Sequence, residues 1–129
     1  MKKKILVDMS ATLIHHGHIR LLKKASNLGD VIVALTKDSQ IKKHKGYNPE
    51  LKYKFRKEIL NSIKYVKKVI PSNFHLDEKF LKKNNISFLV HGNDNKNNIE
   101  ASKLKIFKRT TGISSSKLRR KILKISNKI

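Results

Sequence analysis

Short apolar runs alternate along the chain with segments whose apolar residues recur at helical spacing. Ile5-Leu6-Val7, entered from lysines and left at Asp8, reads as a first strand. Ile19, Leu22, Ala25 and Leu28 form one stripe, which predicts a helix closed by Gly29 as its C-cap. Val31-Ile-Val-Ala-Leu35 is continuously apolar, as in a strand covered on both faces. A basic turn is expected over Ile41–Pro49, with Gly46 and Pro49 marking irregular backbone. The next helix carries Phe55, Ile59 and Ile63 on one face. Val66–Ile70 reads as a third strand closed by Pro71, Leu76–Asn84 as a short helix and Ser87–Val90 as a fourth strand. Leu104–Phe107 is a fifth strand, and a last helix presents Leu118, Ile122 and Ile125 on one side. Strand alternating with helix implies an α/β domain built on a parallel sheet of five strands with helices on both faces.

In such sheets ligands bind beyond the carboxyl ends of the strands, near a reversal of strand order. Four polar clusters follow strands here: His15–His18, Lys42–Lys45, His91–Asp94 and Arg109–Ser114. The first, Met9-Ser-Ala-Thr-Leu-Ile-His15-His16-Gly17-His18, lies between the first strand and the first helix. Side chains three apart share a face of a helical turn, so His15 and His18 can act together. A helix start offers unpaired N–H groups and a positive dipole end, which suit a phosphate. Gly17 lets backbone approach a ligand closely. The pair can also be read as helix capping, or as half of a zinc site completed by His91 or Asp94.

Composition narrows the partners. The chain has 129 residues and no cysteine, which excludes disulfides and thiolate metal sites and fits a reducing, cytoplasmic setting. No apolar run reaches the roughly 20 residues of a membrane span. Met-Lys-Lys-Lys resembles the start of a signal peptide, but Asp8 interrupts the apolar run too soon, so none is expected. The net charge of +22 attracts anions: nucleotides, nucleic acid or acidic membrane. It also fits compositional bias, because lysine dominates and arginine stands only at 20, 56, 109, 119 and 120. That scarcity makes each planar guanidinium more informative.

Arg109-Thr-Thr-Gly112-Ile-Ser114-Ser-Ser116 reads as a second anion site, where Ser114 or Ser115 caps the last helix. Lys45 before Gly46 can close a basic loop over phosphates. Arg56, one step from its helix's apolar face, can bind a phosphate or a neighbouring carboxylate. Asp94 can hold a magnesium-bound water, a ribose hydroxyl or a base amino group, or serve as a turn residue.

Together these motifs resemble the nucleotidylyltransferase superfamily with its His-x-Gly-His turn, and within it the small glycerol-3-phosphate cytidylyltransferases. His15-His-Gly-His18, Gly29-Asp30, Lys45-Gly46-Tyr47, Arg56-Lys-Glu-Ile-Leu, Tyr65-Val66, Val69-Ile-Pro71 and Arg109-Thr-Thr-Gly-Ile-Ser114 carry the likeness over nearly the whole chain. It implies one Rossmann-like domain over 1–129 that transfers CMP from CTP to a small phosphorylated alcohol and releases pyrophosphate. It implies catalytic roles for His15, His18, Lys45 and Arg109. It implies nucleotide contacts at Met9, Ser10, Gly17, Arg56, His91, Gly92, Asp94, Thr110, Gly112, Ile113, Ser114 and Ser115. Magnesium carried by the triphosphate, with no direct protein ligands, and a homodimer come with it; nucleic acid is not an expected partner.

The sequence departs from the family pattern in two places. Met9-Ser-Ala-Thr12 replaces Gly-Thr-Phe-Asp, and Gly92-Asn-Asp-Asn95 replaces Gly-Asp-Asp-Trp. The Met-Ser-Ala-x-Leu-Ile-His stretch also resembles cytidylyltransferase domains found beside phosphonate-making enzymes, so a phosphonate acceptor is an alternative. Phosphocholine and phosphoethanolamine are others. Ile113-Ser-Ser-Ser-x-Leu-Arg119 resembles a motif of adenylyl-transferring relatives, which keeps ATP open as donor. Two further readings are a relative that binds nucleotide without catalysis and a basic nucleic-acid-binding domain. Against the last, aromatic residues are few and no helix-turn-helix signature is present.

Overall fold

A computed structural model describes residues 2–92 and 97–128. Five strands, β1 (Lys4–Met9), β2 (Asp30–Thr36), β3 (Lys68–Ser72), β4 (Phe88–Gly92) and β5 (Leu104–Phe107), form one sheet in the order β3-β2-β1-β4-β5. Every pairing is parallel. The helices are α1 (His16–Ser26), α2 (Asp38–Lys45), α3 (Tyr53–Asn61), α4 (Glu78–Lys83) and α5 (Ser115–Ser126), with a 3-10 turn at Ala101–Lys103.

The alternation of side chains along a strand divides the core in two. Ile5 and Val7 of β1, with Val31, Val33, Val69 and Val90, meet Leu22 and Ala25 of α1 and Leu60 of α3. Leu6, Ile32, Ala34 and Leu89 point the other way, onto Leu76 and Leu81. The continuous apolar run of β2 is thereby covered on both faces. Chain order runs outward from β1 through β2 to β3, and from β4 to β5 in the opposite direction. The reversal lies between β1 and β4, which opens a crevice at their carboxyl ends.

Several boundaries differ from the sequence reading. Pro71 lies within β3, paired with Leu35, because β3 is an edge strand and a missing N–H costs no ladder bond on its open side. The expected basic turn at Lys42–Lys45 is the last turn of α2, a polar helix with Ile41 as its buried side chain and Gly46 as a left-handed C-cap. α1 ends at Asn27, not Gly29; a Cβ at Gly29 would sit 2.2 Å from the Lys3 carbonyl oxygen, so that glycine serves a close backbone approach. On α3 the apolar face turns outward. Phe55 and Ile59 are 43% and 39% exposed, while Arg56 and Leu60 are buried. Likewise α5 buries no side chain, and Ile122 and Ile125 stand in the open.

Candidate active site

A cavity of about 570 Å³ occupies the crevice, a size ordinary for a small-molecule site. The β1–α1 turn forms its floor. That turn is shaped by its own histidines. His15 is the N-cap of α1, and its Nδ1 accepts from the Gly17 N–H at 3.0 Å. In return His18 Nδ1 accepts from the His15 N–H at 3.1 Å. This is a capping box made of two imidazoles, where hydroxyls and carboxylates usually serve. Gly17 is required beneath the ring: a Cβ there would lie 2.8 Å from His15 Cε1.

The capping bonds fix the chemistry of both rings. A nitrogen that accepts from a backbone N–H carries no proton, so the neutral tautomer of each ring holds its hydrogen on Nε2. Two Nε2–H donors therefore belong to the cavity wall, with ring centroids 4.1 Å apart. Their proton affinities agree with neutral rings. Desolvation, then His15, Arg109 and Lys45, push the His18 pKa down to about 3. His15 is lowered by desolvation, then by His16 and Arg109. Arg109, from the β5–α5 connection, acts on both rings and Lys45, from the end of α2, on His18, and all four side chains line the one cavity. The backbone N–H groups of the α1 turn are less available than the sequence suggests, because Gly17 N–H is held by His15 and His18 N–H bonds the His15 carbonyl.

The start of α5 supplies the second anion-binding feature. Ser114 caps it by accepting from Lys117 N–H, and Ser115 Oγ donates to the Leu13 carbonyl at 2.8 Å, which ties α5 to the histidine turn. Ile113, Ser114, Ser115 and Ser116 line the cavity beside Arg109 and Thr110. Gly112 is outside the lining but adopts φ of +83°, which turns the chain from Arg109 into the helix.

Met9, Ser10, Gly17, His91 and Gly92 also line the cavity, as expected. Asp94 lies outside the described residues. Arg56 stands behind the cavity and not in it. It is fully buried, donating to the carbonyls of Leu51 (2.9 Å), Ser10 (2.6 Å) and Thr36 (3.0 Å), and it pairs with Asp38 at 2.5 Å. Of the two roles expected from the sequence, the structure shows the neighbouring carboxylate, Asp38, and Arg56 also fixes the Ser10 carbonyl on the cavity wall. Next to Ser10, buried Ala11 holds a left-handed φ of +49°, a strained conformation of the kind that collects at functional sites.

Sequence reading missed other wall residues. Asp8 accepts from His91 Nδ1 and, at 3.1 Å, from Asn97 Nδ2, across the β1–β4 reversal. Arg20, Phe74, His75 and Lys108 line the same space. Phe74 stacks on His44 at 4.7 Å between centroids. Among the described residues no three His, Asp or Glu side chains gather as metal ligands, and His91 is engaged by Asp8 instead of completing a zinc site with His15 and His18.

Comparison with known proteins gives a match to the cytidylyltransferase-like family over residues 10–121. The chain is 36% identical to a glycerol-3-phosphate cytidylyltransferase of Staphylococcus aureus, over 93% of this chain and 95% of that protein. It is 31% identical to an ethanolamine-phosphate cytidylyltransferase of Mus musculus, over 89% of this chain and 31% of that one. Its fold superposes with a TM-score of 0.66 on the crystal structure of a lipopolysaccharide core biosynthesis protein from Thermoplasma volcanium, covering 98% of this chain and 90% of that one at 20% identity. The matched region takes in the histidine turn and the start of α5, the two features that face each other across the cavity, and the chain belongs to the cytidylyltransferase-like family.

Proposed function

We propose that this protein is a cytidylyltransferase that transfers CMP from CTP to a small phosphorylated alcohol, glycerol-3-phosphate or a close analogue, with release of pyrophosphate. The observation that carries this reading is the meeting of His15, His18, Lys45 and Arg109 with the α5 N-terminus around one cavity. A phosphate oxygen of the acceptor attacks the α-phosphorus of CTP in line. The new P–O bond forms as the bond to the bridging oxygen breaks, and pyrophosphate leaves with that electron pair. The protein's task is positioning and charge stabilisation. The neutral Nε2–H groups of His15 and His18 donate to oxygens that gain charge at the α-phosphorus, with no proton transfer required. Arg109, Lys45 and the α5 N-terminus hold the departing phosphates.

Magnesium belongs to the same reading. Asp8, a carboxylate of the wall, is already engaged by His91 and Asn97, so the described donors fit an ion carried by the triphosphate better than one held by protein ligands. When bound, it supplies charge neutralisation on the leaving phosphates. A homodimer is also part of the proposal, supported by the exposed apolar residues of α3, and light scattering tests it. A reducing cytoplasmic setting is supported by the cysteine-free sequence.

The test is pyrophosphate release with CTP and with ATP, each against glycerol-3-phosphate, phosphoethanolamine, phosphocholine and a simple phosphonate. Release with CTP supports the proposal and names the acceptor. Release with ATP alone overturns the donor, and release with neither overturns the enzyme. Duplex binding with a steep salt slope and no turnover would favour the nucleic-acid reading.

A further inference from the structure

Helix α5 brings one side of the anion site to the cavity, yet it buries no side chain. Its aliphatic residues Ile122, Leu123 and Ile125 are 53%, 56% and 54% exposed and Leu118 is half-buried, so apolar packing contributes little to holding it in place. Polar ties hold it. Beyond the Ser115–Leu13 bond, Arg119 Nη2 donates to Thr12 Oγ1 at 3.1 Å. The same guanidinium grips Glu50, with Nη2 3.0 Å and Nε 3.3 Å from Oε2, and lies 4.4 Å over the ring of Tyr47. Tyr47 and Glu50 belong to the connection between α2 and α3, immediately after Lys45. One side chain therefore joins the β1–α1 turn, the α5 helix and the segment that carries Lys45.

Beyond buried Ile41 and the stacking of His44 on Phe74, that segment has little packing of its own. Lys42 to Gly46 are exposed, and a Cβ at Gly46 would meet nothing within 4 Å. Lys45 is an exposed cation whose ammonium lies 6.0 Å over the Phe74 ring, so its position depends largely on what anchors its neighbours. In a chain with 31 basic and 9 acidic residues, a carboxylate beside an arginine at this point is a costly choice to leave unused. The bidentate grip suits the guanidinium fork and would not be reproduced by lysine. Arg119 itself is outside the cavity lining, so it acts through others.

We propose that Arg119 and Glu50 form a latch, positioning Lys45 opposite the α5 N-terminus so that the two sides of the triphosphate site are held at a fixed separation. The latch deepens the cytidylyltransferase reading and rests on it for its role in catalysis. Glu50→Gln weakens it without touching the cavity lining, and Arg119→Lys weakens it while also losing the bond to Thr12, a residue of the lining. Each is expected to raise KM for CTP about 10-fold while kcat stays within about twofold, because positioning and not chemistry is lost. The deciding measurement is a cycle with Lys45→Ala. If the latch acts through Lys45, Glu50→Gln changes KM by less than about twofold once Lys45 is gone. A KM effect that persists in the Lys45→Ala background overturns the proposal, as does an unchanged KM in both single variants or a loss confined to kcat. Tryptic cleavage after Lys45, followed by mass spectrometry without nucleotide, gives a readout independent of activity. It should run about 10-fold faster in Glu50→Gln than in wild type, as for a segment with a lower opening cost. An equal rate overturns the latch. Wild-type protein with no CTP turnover but with this tryptic difference would keep the latch and remove the proposed function.

Discussion

His18 serves two ends with two nitrogens, and paired substitutions separate them. Nδ1 caps the helix by accepting from His15 N–H, which leaves Nε2–H for the cavity that His18 lines. Asparagine places an acceptor near the Nδ1 position and nothing at Nε2. Glutamine reaches toward Nε2 and leaves Nδ1 empty. His18→Asn should therefore keep the cap and lose the donor. Loss of one transition-state donor in a desolvated site costs about 2.7–4 kcal/mol, or 100- to 1,000-fold in kcat. Loss of a cap bond costs about 1 kcal/mol of stability. The expected pattern is His18→Asn with a near-native urea midpoint and turnover reduced at least about 100-fold. His18→Gln should be destabilised by about 1 kcal/mol with a smaller loss of rate. His18→Ala suffers both losses. Pyrophosphate release and urea unfolding on the same preparations supply the numbers. His18→Asn turning over at the wild-type rate would refute the role of Nε2–H.

Three more expectations rest on the same geometry. His18 is neutral in the folded protein down to about pH 3, whereas an unfolded histidine protonates near its ordinary value of 6.5. The unfolded state then binds more protons, so stability is full above pH 6.5 and falls by up to about 1.4 kcal/mol per unit as pH drops. Urea midpoints at pH 7 and pH 5 should diverge in wild type and much less in His18→Gln; an equal shift in both would contradict a neutral, desolvated His18 ring. Gly17→Ala must displace the His15 ring from its cap, so turnover should fall at least about 10-fold, read by the same assay. Arg56→Met leaves the Ser10 and Thr36 carbonyls unpaired behind the cavity. It should cost about 3 kcal/mol in urea unfolding, with a loss below 1 kcal/mol arguing against the structural role.

The parts of this architecture readable in the sequence are those encoded locally. Apolar runs marked the strands, and the spacing of His15 and His18 marked a pair that meets, although they meet as N-cap and N3 of a capping box and not on one helical face. Lys42–Lys45 read as a turn because α2 has a single apolar anchor, Ile41, too few for a periodic signal. The outward face of α3 misled for another reason: burying Arg56 in place of Phe55 depends on carbonyls of Ser10, Leu51 and Thr36, which other segments deliver. The Asp8–His91 pair was invisible because its members are 83 positions apart and meet through β1–β4 pairing, where Val7 lies opposite Val90. Arg119 was visible as a motif residue, but its partners were not.

The contrast between a sheet whose central strands are sealed in hydrocarbon and an α5 pinned by a few polar contacts sets an order of melting. Warming should free the helix and dissolve the nucleotide seat well before the strands separate. Between those two events the molecule would keep its sheet but lose the helical circular dichroism that α5 carries, and with it its chemistry, and a bound triphosphate, bridging both sides of the seat, would narrow that interval.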